Sequence, residues 1–465
     1  MNLSRRLNFL KRSLRRLDNR FSSIQIIVFY YIIMTLLSLL LFYLPIFRQP
    51  NSHVSFLDMV FMAISTVSVT GLTTFDINSV FNETGVVLLE ILFHVGGLGI
   101  MMISTFFFIV SKRRISLKQR QLIMTDMNQP RLSGVVLLIK ITLTMLLCTE
   151  LIFGTMFSIY FYFMEYYASI GEAIFYGFYQ SISAVTNSGF DVTGNSIIPL
   201  ANDHLFLIVI MFLIFIGGIG FPVLMDFYGW VTHRRSASKI PFRFSLFSKI
   251  ALLAFVVLFV GGTIIIWLLE KNHSFSDLPA WDQWLNSAFY SMTTRNAGLQ
   301  IHDLNQFQNT TLIIFSMLMF IGCSPSSVGG GIRTTTIAII GLYLYSFLKN
   351  EEDINIFNRR IPQNDVRKSV VVFMLSMGMC FFSILFLTAT EDHSLISIIV
   401  EVTSAFGTTG LSLGITDDLS ATGKIMIAVL MFIGRIGMLY TLLLFVPKET
   451  RDLGYEYPEE KIIIG

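Results

Sequence analysis

Charge is scarce in this sequence: 14% of its 465 residues are Asp, Glu, Lys or Arg, while 54% are hydrophobic. A soluble chain carries about a quarter charged residues, so an ordinary water-soluble globule is excluded. Cysteine is scarcer still. Cys148, Cys323 and Cys380 are odd in number, and their spacing fits neither a disulfide framework nor a zinc site. All three fall in apolar stretches, where a thiol packs as a small hydrophobe. The seven histidines (53, 94, 204, 233, 273, 302 and 393) contain no H-E-x-x-H pair, which argues against an intramembrane metallohydrolase. Only His94 lies well inside an apolar run. No strand, Gly-rich turn and helix follow one another, so the chain itself is expected to bind no nucleotide.

What the sequence does have is apolar runs long enough to cross a bilayer, which takes roughly 20 residues. Basic residues cluster between them. Twenty-four of the 33 Lys and Arg fall in the leader before residue 21, in segments 111–121, 232–243 and 348–368, and after residue 447. The bias of Lys and Arg toward cytoplasmic loops then puts both termini in the cytoplasm of a multi-pass protein of the cell membrane. Residues 1–23 read as a basic arm lying on anionic lipid; nothing else in the chain supports nucleic-acid binding. The apolar run from Ile24 to Phe47 has no small-residue cleavage site and reads as a retained span.

The chain repeats a short motif four times: Val69-Thr70-Gly71, Asn187-Ser188-Gly189, Asn296-Ala297-Gly298 and Thr408-Thr409-Gly410, with the glycines 118, 109 and 112 residues apart. A second landmark keeps step, Gly96-Gly97, Gly217-Gly218, Gly322-Cys323 and Gly434-Arg435. Two registers over four periods define an internal repeat. Each repeat is a long apolar helix, a short helix, the glycine loop and a second long helix. The expected repeats span 24–110, 134–226, 246–348 and 367–447, followed by a polar tail, 448–465. The short helices, about 56–68, 171–186, 281–294 and 395–406, cannot span. They must enter and leave by one face, and non-helical backbone at membrane depth requires a protein-lined or watery cavity. The expected fold is therefore an all-α polytopic membrane protein. It has four tandem helix–re-entrant pore helix and loop–helix repeats, eight spans in all, arranged pseudo-fourfold around a central pore.

Such loops suit a hard monovalent cation, whose hydration shell a ring of carbonyls can replace. Glycine supplies the backbone angles, and each short helix aims the negative end of its dipole inward. The second helix of the third repeat, alone of the four, is interrupted, by Gly322-Cys323-Ser324-Pro325-Ser326-Ser327-Val328-Gly329-Gly330-Gly331, which cannot sustain a helix. It permits either a packing bend or a loop that blocks the pore. Arg435 lies mid-span, where an arginine faces a cavity or a partner; it reads as a positive barrier able to bind that loop's carbonyls. Arg295, three residues before Gly298, is expected to support the filter, with Glu401 as its candidate partner. Asp76, Asp191, Asp303, Asp417 and Asp418 could form an outer carboxylate rim. A secondary carrier of sodium or ammonium is the competing reading, but it predicts inverted repeats, and these four run in one sense.

From Ile24 to about Val446 these residues resemble the Trk/Ktr/HKT superfamily of potassium transporters, most closely the membrane subunit of the bacterial Ktr system. The likeness rests on the four loops, on Thr293-Thr294-Arg295-Asn296-Ala297-Gly298, on the interrupted third-repeat helix and on Arg435. It implies that the triplets Val69-Thr70-Gly71, Asn187-Ser188-Gly189, Asn296-Ala297-Gly298 and Thr408-Thr409-Gly410 are the potassium filter, with Gly71, Gly189, Gly298 and Gly410 as its selectivity glycines. Relatives with Ser at the first of these favour sodium. It also implies that residues Gly322, Ser324, Pro325, Ser326, Ser327, Gly329, Gly330 and Gly331, with Arg435, form the gate. The chain binds no cofactor on this reading; potassium is its substrate, and a sodium activator stays open. The implied partners are a second copy of the chain and a cytosolic KtrA-type ring that binds ATP or ADP. TrkH-type relatives carry an extra N-terminal helical pair; here the first repeat begins about 24 residues in, so the shorter Ktr type is the expected one.

Overall fold

The computed structural model describes residues 22–50, 52–99, 102, 105, 108, 111, 115–127, 132–194, 196–235 and 241–445. Nearly all of the arm expected at 1–23 and the whole tail expected at 448–465 lie outside the described residues. The first repeat consists of α1 (Ser23–Phe42), the short α2 (Phe56–Ser68) and α3 (Glu83–Leu98). A polar helix, α4 (Leu117–Asp126), leads to α5 (Val135–Phe163), the short α6 (Ile170–Thr186), α7 (His204–Gly218) and α8 (Phe221–Arg235). The third repeat has α9 (Leu246–Glu270), the short α10 (Ala280–Thr293), α11 (Asn309–Phe320) and α12 (Thr334–Leu348). A hairpin of β1 (Asn355–Ile356) and β2 (Arg359–Arg360) precedes α13 (Gln363–Thr390), the short α14 (Leu395–Gly407), α15 (Ala421–Ile436) and α16 (Met438–Phe445).

Helices α1, α5, α9 and α13 are long and apolar enough to cross a membrane, and the bent pairs α7–α8 and α15–α16 bring the number to six. Their outer faces expose Phe29, Leu40, Leu151, Ile159, Val257, Leu268, Phe381 and Phe382. So large an apolar exterior is compatible with lipid rather than water. The short helices are the interior. Serine caps three of them: Ser55, Ser169 and Ser394 each accept a backbone N–H three residues on. Each short helix packs between the long helices of its own repeat and the second helix of the repeat before. Thus α6 meets α3, α10 meets α7, α14 meets α11, and α2 meets α15 of the fourth repeat. Buried carboxylates tie the outer ends of two repeats. Glu270, ending α9, accepts the Gln308 N–H at 3.1 Å, and Glu391, ending α13, accepts the Ser420 N–H at 2.9 Å.

Continuous second helices are not what forms. α7 and α8 meet at 102° and α15 and α16 at 97°, pivoting on Gly220 (φ 100°) and Gly437 (φ 97°), angles that favour glycine. α3 stops at Leu98 before Gly99 (φ 84°). The expectation that only the third repeat is interrupted is thus corrected. All four second helices break just past the second landmark, and the third differs in the length of its break.

Candidate functional site

Three of the four short helices end in the same backbone figure, and α10 instead passes through a right-handed Thr294 before it turns. Val69, Asn187 and Thr408 follow α2, α6 and α14 in the left-handed region (φ 57°, 51° and 53°), and Asn296 follows α10 with φ 74°. The next N–H turns back into the helix: Thr70 to Ser65 O, Ser188 to Ser183 O, Thr409 to Ser404 O, at 2.8–3.0 Å, the Schellman closure of a helix C-terminus. A left-handed Val or Thr costs roughly 1–3 kcal/mol, so the surroundings must impose it. The sequence placed these residues in the filter triplets but gave no sign of their left-handed backbone.

The glycines of the four loops meet one another. A Cβ on Gly71 would lie 2.6 Å from Ser188 O, one on Gly189 2.8 Å from Ala297 O, one on Gly298 2.1 Å from Thr409 O, and one on Gly410 2.4 Å from Thr70 O. Each loop therefore presses its glycine against the carbonyl that precedes the next loop's glycine, and the fourth closes on the first. Substitution is blocked twice over, by φ values of 67–95° and by this contact. Residues to which the sequence reading gave no role hold the loops from behind. Tyr179 donates to Phe190 O at 2.9 Å, Thr293 to Leu299 O at 2.8 Å, and Ser404 accepts the Gly410 N–H at 3.1 Å. They lie eight, three and four residues before Asn187, Asn296 and Thr408, a spacing too irregular to register in the sequence.

The second landmark has a packing cause. A Cβ on Gly96, Gly217 or Gly434 would sit 2.2, 2.1 or 2.0 Å from the carbonyl of Val67, Val185 or Phe406, each two residues before its left-handed residue. Glycine there lets the second helix lie directly against the end of a short one. In the third repeat a Cβ on Gly322 would instead lie 2.0 Å from Gly330 O, within the interrupting segment.

That segment, 321–333, folds back on itself and is almost wholly buried. Ile321 and Ile332 bridge in parallel, and the Thr334 N–H donates to Cys323 O at 3.2 Å. The Ser324, Val328 and Gly331 N–H groups donate to Gly218, Gly217 and Gly434 carbonyls at 3.1, 3.2 and 3.2 Å. Arg435, 6% exposed, donates to Val328 O and to the Gly96 and Gly97 carbonyls, the last at 2.6 Å. Arg333, which the sequence reading passed over, donates to Gly329 O. Below lies a cavity of about 310 Å³ lined by Tyr31, Gly99, Pro325, Ser326, Arg333 and Arg435 among others.

Arg295 and Glu401 do not pair, which corrects that expectation. Arg295, 1% exposed, lies 3.9 Å over the Phe255 ring and donates to Phe255 O at 3.1 Å. Glu401 accepts from Ser412 and Thr416 at 2.7 and 2.6 Å. The two side chains point into different seams, each supporting the stretch behind its own loop. The outer acids are largely engaged with backbone: Asp191 takes the Thr193, Gly194 and Ser196 N–H groups at 2.7–3.0 Å, and Asp76 and Asp303 cap short turns. His94 does find a partner within the helices, Glu150 at 3.0 Å.

Lipid-facing helices around a buried set of loops and breaks define a multi-pass membrane transport protein. Residues 44–452 match the family described as TrkH, cation transport protein, and the chain belongs to that family of transporters, which are not enzymes. It is 43% identical over 452 residues to the Ktr system potassium uptake protein D of Bacillus subtilis (strain 168), covering 97% of this chain and 99% of the relative. It is 34% identical to the Ktr system potassium uptake protein B of Vibrio alginolyticus (92% of each chain) and 33% identical to the potassium/sodium uptake protein NtpJ of Enterococcus hirae (97% and 99%). The crystal structure of the potassium transporter TrkH from Vibrio parahaemolyticus shares the fold, with a TM-score of 0.71 over 92% of this chain and 86% of that one at 18% identity.

Proposed function

We propose that this chain is the potassium-translocating membrane subunit of a Ktr-type uptake system. The cyclic contact of the four loop glycines with the neighbouring carbonyls carries the reading. A closed ring of backbone oxygens at the ends of four converging helix dipoles is the environment a dehydrated potassium ion needs. On this reading the repeats form eight spans arranged pseudo-fourfold about the ring, with both termini cytoplasmic. Residues Gly322, Ser324, Pro325, Ser326, Ser327, Gly329, Gly330 and Gly331 form the gate, and Arg435 fastens it. Four glycines, with none replaced by serine, support potassium over sodium. The relatives' names support a multi-component system, so the proposal extends to a homodimer under a cytosolic nucleotide-binding ring, with sodium as a candidate activator.

The test is tracer rubidium uptake into potassium-loaded liposomes holding the purified chain. Strong competition by external potassium and weak competition by sodium are expected. Equal competition overturns the selective ring, and uptake driven by a sodium or ammonium gradient with no potassium preference favours a secondary carrier instead.

A further inference from the structure

We infer that Thr408 and Asn296 couple the 321–333 segment to the filter, so that opening and cation discrimination change together. The inference rests on the filter and gate reading above.

The segment is held at two levels. At the lower level its partners are helix ends: the carbonyls of Gly217, Gly218 and Gly434, and the Arg435 guanidinium. None of these belongs to a filter loop. At the upper level the Gly330 N–H donates to Thr408 Oγ1 at 2.9 Å. The same oxygen accepts from Asn296 Nδ2 at 3.2 Å, and that amide also donates to the Gly407 carbonyl. One hydroxyl thus joins the segment, the third loop and the fourth. The fit is flush: a Cβ on Gly330 would lie 2.6 Å from Thr408 Oγ1, and one on Gly329 2.6 Å from Asn296 Cγ.

Thr408 and Asn296 are the left-handed residues that open their loops. A β-branched threonine keeps that conformation only while its surroundings enforce it. When the segment withdraws, Oγ1 loses the Gly330 donor, one of its two hydrogen-bond partners. The backbone can then relax, turning the Thr408–Thr409 carbonyls away from the ring. The Gly330–Thr408 link lies between the third and fourth loops, and the segment's Cys323 Sγ separately donates to Arg295 O at 3.3 Å. Val69 fills the same place in the first loop and carries no polar group, while Asn187 in the second reaches only the Cys323 sulfur at 3.9 Å.

The experiment measures maximal rubidium uptake, and the sodium concentration that halves it, in proteoliposomes of the full chain and its variants. Thr408→Val removes the hydroxyl at nearly constant shape, Thr408→Ser keeps it, and Gly330→Ala pushes on the same contact from the segment's side. Thr408→Val and Gly330→Ala are each expected to raise the maximal rate and to lower the half-inhibiting sodium concentration by about fivefold, the population shift one net hydrogen bond provides. Thr408→Ser, which keeps the hydroxyl, should shift both readouts less than Thr408→Val does. In a chain lacking 322–331, Thr408→Val should add nothing to the rate. Should Thr408→Val not fold, Gly330→Ala carries the test with the filter sequence intact. A rate change with unaltered sodium competition in both variants overturns the coupling. So does an equal Thr408→Val effect with and without the segment, which assigns the hydroxyl to the filter alone. A wild type indifferent to potassium and sodium removes the filter reading, and this inference with it.

Discussion

Arg435 donates to the carbonyl of Val328, so a guanidinium from the fourth repeat fastens the third repeat's interrupted segment. The same side chain reaches Gly97 O at 2.6 Å on the first repeat. Hydrogen bonds to a charged group contribute about 1.5–3 kcal/mol each, and here they span three repeats. Replacing Arg435 by Gln should release the segment and raise rubidium uptake by roughly tenfold, one such bond's worth. Lys, which lacks the fork, should fall between the two. Initial uptake rates at equal protein incorporation decide it; rates at or below wild type contradict the fastening role.

The seam between the fourth and first repeats carries an ion pair, Lys424 to Asp58 at 2.8 Å, with both side chains largely covered. It sits where α15 meets α2 and so helps close the circle of packing. Lys424→Met strands the carboxylate and should lower stability by about 1–3 kcal/mol, less than a fully buried pair because water reaches the site. Lys424→Met with Asp58→Asn should recover part of that loss. Thermal unfolding in detergent of the two single variants and the double one gives the answer, and strictly additive losses would sink the claim.

Gly298→Ala places a methyl group 2.1 Å from Thr409 O at φ 68°. The left-handed backbone alone costs about 1–2 kcal/mol, and the contact forces the neighbouring carbonyl out of line. The variant should fold, with a lowered melting temperature, and lose discrimination between rubidium and sodium. Gly261→Ala is the control, since nothing lies within 4 Å of that position; it should leave competition unchanged.

Arg295 and Glu401 share no partner, so their effects should be independent. In a double-mutant cycle with Arg295→Met and Glu401→Gln, the stability losses should add to within about 0.5 kcal/mol. A larger coupling energy would restore the direct pairing that the geometry denies.

Much of this molecule was legible in the chain. The short helices appear within a residue or two of their expected limits, three of them punctuated by serine caps and left-handed termini. The loop glycines stood out because glycine was the one residue compatible with both the angle and the contact. Other features were hidden for physical reasons. Gly220 and Gly437 sit in apolar runs that hydropathy reads straight through, so the breaks in the second and fourth repeats did not register. The left-handed Val69 and Thr408 left no compositional trace, because tertiary contacts impose their conformation. Arg295 and Glu401 were joined only because each precedes a filter glycine, by three and by nine residues, and sequence spacing says nothing of which seam a side chain enters.

The central claim is that four loop carbonyls form one potassium site. Anomalous scattering from crystals of the full chain grown in rubidium tests it most directly. The account predicts rubidium on the axis between Gly71, Gly189, Gly298 and Gly410, displaced by potassium but not by equal sodium. Rubidium bound only elsewhere, or displaced equally well by sodium, would contradict it.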